Sequence, residues 1–231
     1  MEIRTDDFTE PGLYLLLPGG KQIALTRRRL DEFARTFEAG LDRFPEEIRS
    51  SVHFKACPVC PERNRAVFCH ALPATLAFLD DLSEFRSYDR VGAVYRDSDR
   101  TLVCVPETTM QEALQFVAIL SLIHHCEVGR EYRRFLRGIH PLMDPTELTA
   151  RVHLNLYWDC KGDRARISET MLRFSNELTC TCRCQVQRLQ LVCKHDALVN
   201  AFVNTQAQIE CLTLAEGDAV DRQLEEFLAG G

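Results

Sequence analysis

The residues best equipped for chemistry fall in Lys55–His70, which reads KACPVCPERNRAVFCH. Cys57 and Cys60 are separated by two residues, the spacing that lets one tight turn point both sulfurs to one side and aim backbone amides at them. Such a knuckle lowers thiolate basicity and suits zinc or iron. Pro58 restricts the turn and Pro61 ends it. Cys69 returns after eight residues, far enough along the chain to close on the same ion. His70 adjoins Cys69, and consecutive side chains rarely reach one ion comfortably. The fourth ligand is therefore sought at Cys126, in Leu122-Ile123-His124-His125-Cys126-Glu127, at the end of an apolar helix. His70, His124, His125 and Cys193 are the alternatives for that position. The expected metal site is Cys57, Cys60, Cys69 and Cys126, a staple between a loop and the helical half.

Zinc is the first expectation for this site. Zinc sites commonly show two knuckles and only one is visible here, so a 4Fe-4S cluster on the same cysteines is the alternative. A thiol oxidoreductase using Cys57 and Cys60 is a further one. It needs one acidic, accessible thiol, and the βαβ context of that chemistry is lacking. The leading reading is a cytoplasmic metal-binding protein acting in interaction or regulation, with no sign of an enzyme. No phosphate-binding glycine loop, dinucleotide fingerprint, nucleophile elbow or zinc-protease helix is present.

A second concentration of thiols is Cys180, Cys182 and Cys184, followed by Cys193. Cys184-x8-Cys193 repeats the spacing of Cys60-x8-Cys69. These residues fall on a long helix, where positions two apart face different ways. Cys182 and Cys193 lie on its apolar stripe, and free cysteine packs as a small hydrophobe. A structural reading is preferred for this group. Cys104, Cys160 and Cys211 read as core or half-buried thiols. His140 reads as a loop residue, and His53 and His153 have no distinguishing context.

The remaining composition narrows the function. The chain has 231 residues, 11 cysteines and a formal net charge of −6. An acidic chain of this kind is poorly suited to displacing counterions from nucleic acid. Arg27-Arg28-Arg29 reads as a solvated helix face. The apolar run from Ala113 to Ile123 is too short for a bilayer, which takes about 20 residues. The N-terminus MEIRTDDFTEPG has no apolar stretch, so no signal peptide and a cytoplasmic location are expected. A reducing compartment and an odd cysteine count speak against a disulfide framework. No nucleic acid and no membrane are expected as partners; an unidentified protein or a second copy of the chain is.

The elements that must position these thiols follow from periodicity. Gly12 to Leu25 reads as a hairpin turning at Pro18-Gly19-Gly20, and Arg90 to Val105 as a second, turning at Asp97-Ser98-Asp99. Thr26 opens a helix with Leu30, Phe33, Phe37 and Leu41 on one face and Gly40 at its end. A short irregular or helical piece begins at Pro45. Val52 to Lys55 reads as a short strand, and Pro73 begins a helix. Thr109-Met110-Gln111-Glu112 is a capping box before a helix apolar almost all round through Ile123, which must be buried on every side. Asp144-Pro145 starts a helix running to about Cys160, closed by Gly162. A long helix from Asp163 carries Ile167, Met171, Phe174, Leu178, Cys182, Val186, Leu189 and Cys193 in one stripe. Asp196 opens the last helix, and a short amphipathic piece is expected between 217 and 231.

The resulting fold class is α+β: small N-terminal β-hairpins and a cysteine loop packed on a C-terminal antiparallel helical bundle. One domain over 1–231 is expected, with a hairpin and cysteine-loop subregion over 1–107 and a helical subregion over 108–231. CPVCP, FCHA, TTMQEAL, CEVG, HPLM, RCQVQRL and DALVNAFVNTQ together resemble an uncharacterised group of bacterial proteins, over roughly residues 55 to 212. That resemblance implies an architecture, a cysteine-proline knuckle ahead of a helical region, rather than an activity. It places cysteines at the knuckle, at the third position and at the end of the buried helix. Cys180 and Cys182 depart from the pattern.

Overall fold

The computed structural model describes residues 8–54, 57–66, 68–82, 84–98 and 101–214. Lys55, Asp99 and the amphipathic piece expected over 217–231 lie outside them. The architecture is α+β. Strands β1 (Gly12–Leu16) and β2 (Gln22–Thr26) form the first hairpin, and β3 (Arg90–Arg96) and β4 (Leu102–Thr109) the second. The hairpins join through antiparallel pairing of β1 with β3, with Leu13 opposite Tyr95 and Leu15 opposite Ala93, giving a sheet of order β2-β1-β3-β4. Joining them covers β1 on both edges. Its alternate residues Leu13 and Leu15 enter the main core, while Tyr14 packs with Phe8 and Val94 on the other face.

Helix α1 (Arg27–Ala39) begins where Thr26 Oγ1 accepts the N–H of Arg29, and Gly40 ends it. Its basic run is engaged at the surface: Arg28 pairs with Glu10 and Glu32, and Arg29 with Asp81. Helix α2 (Glu46–His53) replaces the strand expected over Val52 to Lys55. Glu46 and Glu47 occupy its first turn, where the helix dipole favours acids, and Ser51 and Val52 face inward. Two β-favouring residues do not outweigh a started helix with an apolar face.

Helices α3 (Ala71–Leu76) and α4 (Leu79–Leu82) follow the cysteine loop. The Thr109–Glu112 capping box is formed and opens α5 (Met110–Leu120), which is buried on every side from Ala113 to Ala118. Beyond Leu120 the α-helical ladder gives way to a π turn over Ser121–His125 rather than continuing through Ile123. Ser121 sits at that change and donates its hydroxyl to the Ala71 carbonyl, while accepting from Thr75. Helix α6 (Glu127–Tyr132) starts immediately afterwards with Cys126 as its N-cap.

Asp144 caps α7 (Pro145–Asp159) by accepting the N–H groups of Thr146 and Glu147, and Gly162 follows it at positive φ. Asp163 caps α8 (Arg164–Leu189). The long helix therefore stops before Cys193, which lies in the turn that follows and packs against the core from there. In α9 (Ala197–Leu214) the inner face packs against both α5 and α8. Asp196 precedes it, and its carboxylate accepts from Ser87 N–H and Oγ, tying the helical half to the loop before β3. One buried apolar cluster runs from Leu13 to Leu212 through all of these layers. Among the described residues no helix is long and apolar enough to cross a membrane.

Candidate metal centre

The knuckle is a real turn: Cys60 N–H donates to the Cys57 carbonyl at 3.1 Å, and Arg63 N–H to that of Cys60 at 3.2 Å. Cys57 is buried, and Cys60 and Cys69 are half-buried. Cys126 is buried at the junction of the π turn and α6. Its position depends on Gly129, since a Cβ there would stand 1.8 Å from the Leu122 carbonyl oxygen. The chain thus turns back on itself around Cys126, which the extra residue of a π turn helps accomplish.

Cys57, Cys60, Cys69 and Cys126 all line one cavity of about 220 Å3. His70 and His125 line it too, whereas His124 and Cys193 are not among its lining residues. His70 is exposed and packs its ring on Phe68. Among the described residues, no three of the four cavity cysteines have sulfurs all within 4.8 Å of one another.

Helix α8 forms the opposite wall. Thr181, Gln185 and Arg188 lie on one face at steps of four and three, and each is at least 97% buried. Arg188 Nε donates to the Phe54 carbonyl at 3.0 Å. Gln185 Nε2 donates to Cys69 Sγ at 3.2 Å, while its buried Oε1 has no partner among the described residues. Thr181 Oγ1 lies 3.9 Å from Cys57 Sγ. Of the three, Gln185 directs an N–H at sulfur, whereas the Thr181 hydroxyl donates to the Glu177 carbonyl of its own helix.

Cys57 meets a second pair of thiols away from the cavity. The sulfurs of Cys57, Cys180 and Cys184 lie within 4.8 Å of one another, spacing that could hold a metal ion. Cys180 and Cys184 are four residues apart and share a face of α8, whereas Cys182 points into the core and is fully buried. The structural reading suits Cys182. For its neighbours, the signal in the sequence that could have found their closeness is a four-residue spacing inside a helix. Cys160 is buried as expected, but Cys104 and Cys211 are exposed. Cys104 lies on the edge strand β4, and Cys211 on the outer side of α9.

The electrostatics differ from thiol to thiol. The Cys184 thiol donates to Cys57 and pulls it below the usual thiol range, outweighing burial; the Val59 amide adds to this. The same bond, with burial, pushes Cys184 up. Burial raises Cys60, and the neighbouring Cys57 and Cys69 sulfurs and the Glu127 carboxylate add to the effect. Burial pushes Cys126 up to about 12, although the Gly129 and Val128 amides pull the other way. Removing the protons from these crowded thiols together requires a cation among them.

Four cysteines thus surround one cavity, with amides facing sulfur and a buried side chain donating to one of them, and three cysteines including Cys57 stand close enough to hold a metal ion. Comparison with family models, curated proteins and solved structures finds no match to the chain.

Proposed function

We propose that this protein binds a metal centre through Cys57, Cys60, Cys69 and Cys126, and that the centre is an iron–sulfur cluster serving a redox or sensing role. The observation that carries this reading is the width of the site. Zinc holds sulfur at about 2.3 Å in a tetrahedron, which draws four thiolates into mutual contact. A 4Fe-4S cluster interposes irons and sulfides, so its cysteine sulfurs stand farther apart around a larger space. The four cysteines line a cavity of about 220 Å3, and among the described residues no three of their sulfurs lie within 4.8 Å of one another, which supports the second arrangement.

In this reading the knuckle supplies two ligands, Cys69 the third and Cys126 the fourth. The centre would supply one-electron chemistry or sensitivity to oxidants. The chain's own part is to exclude water with Val52, Phe68 and Val128 and to direct Gln185 at one ligand sulfur. Anaerobic purification tests it. The expected result is a brown protein with about four iron and four sulfide per chain, lost on Cys126→Ser. A colourless protein carrying one zinc on the same cysteines would replace the cluster with a structural ion joining loop to helices.

A further inference from the structure

We propose that Cys57, Cys180 and Cys184 form a separate site for a single soft metal ion such as Zn2+, available when the four-cysteine centre is empty. The three sulfurs lie within 4.8 Å of one another, the compact arrangement that a lone tetrahedral ion demands and the cavity cysteines lack. Two come from adjacent turns of α8, a rigid support, and the third from the loop it faces. Cys180 and Cys184 are half-exposed, so an ion reaches the site from solvent. Three protein sulfurs leave one of zinc's four positions to water or to an added thiol, the form of an exchanging site rather than a closed structural one. The positive charge of Arg188, felt at Cys184, offsets part of the excess negative charge of three thiolates on a divalent ion.

Cys57 is the one residue common to this group and to the cavity wall. As a terminal ligand it can complete either set but not both. Zinc binding and cluster loading therefore exclude one another, with Cys57 passing between the α8 pair and the cavity.

The test is a Zn2+ titration of the reduced, metal-free full-length chain against a chromophoric chelator. It compares the wild type with Cys180→Ser/Cys184→Ser and Cys60→Ser/Cys69→Ser. Loss of even an outer-shell partner costs about 10–100-fold in metal affinity, so losing both α8 thiols is expected to cost about a hundredfold or more. Cys60→Ser/Cys69→Ser should still take up one Zn2+ through Cys57 and the α8 thiols, and a cluster-loaded chain should refuse Zn2+. Co2+ added to the wild type in the absence of free thiol should give thiolate charge-transfer absorption of three sulfurs, a readout independent of whether a variant folds. Unchanged zinc binding in the α8 variant, four-sulfur cobalt absorption, or zinc uptake by the cluster-loaded chain would overturn the proposal. The exclusion rests on the cluster reading; the site does not. Iron and sulfide analysis separates the two, because the α8 variant should keep the cluster and Cys60→Ser/Cys69→Ser should lose it.

Discussion

Gln185 reaches Cys69 across 116 residues of sequence, its Nε2 donating to Sγ at 3.2 Å. The contact joins the C-terminal part of α8 to the far end of the cysteine loop. A hydrogen bond to a ligand sulfur withdraws electron density from it and raises the reduction potential of the metal it holds. Gln185→Leu should therefore lower the potential of the loaded centre while preserving its iron content. Potentiometric titration followed by electron paramagnetic resonance checks this, and an unchanged potential would assign Gln185 to packing alone.

Gly129 makes a contact of another kind. Any Cβ there meets the Leu122 carbonyl, and a backbone atom cannot rotate aside as a side chain can. Gly129→Ala should cost about 1–3 kcal/mol by overpacking and should displace Cys126. Urea denaturation measures the first effect, and iron content the second.

Cys180 and Cys182 separate packing from ligation on one helix. Cys182 is fully buried in the apolar core, and Cys182→Ser places a polar hydroxyl among apolar neighbours at a cost of about 1–3 kcal/mol. Cys180 is half-exposed, and Cys180→Ser should change stability by less than about 0.5 kcal/mol. Equal unfolding midpoints for the two variants would contradict this assignment.

His153 provides a pH dependence away from the metal site. It is buried, its Nε2 lies 3.3 Å from the Leu212 carbonyl oxygen, and burial lowers its pKa from 6.5. The unfolded chain thus binds the proton more readily than the folded one. The contribution of this group to stability is fully present above pH 6.5 and is lost as the pH falls through its lower folded value. The urea midpoint of His153→Gln should decline less between pH 7 and pH 5 than that of the wild type, about 7 and 5 bracketing the unfolded pKa. Parallel declines would remove His153 from this role.

Local signals in the sequence determined most of the elements: both hairpins, the Thr26 and Asp163 caps, the Thr109–Glu112 capping box and Gly162 at the end of α7 are each decided by residues within one turn of each other. The knuckle and the return of Cys69 were legible for the same reason. Val52 misled because its β preference was outweighed by the helix begun at Glu46. Only the tertiary structure decided that β1 pairs with β3, or that α8 turns Thr181, Gln185 and Arg188 toward the loop. It also brought Cys57 beside Cys180 and Cys184. Those contacts join residues far apart in the chain, and they depend on how helix and sheet faces pack together. Periodicity showed which face of α8 is apolar; packing chose which of its thiols meet Cys57.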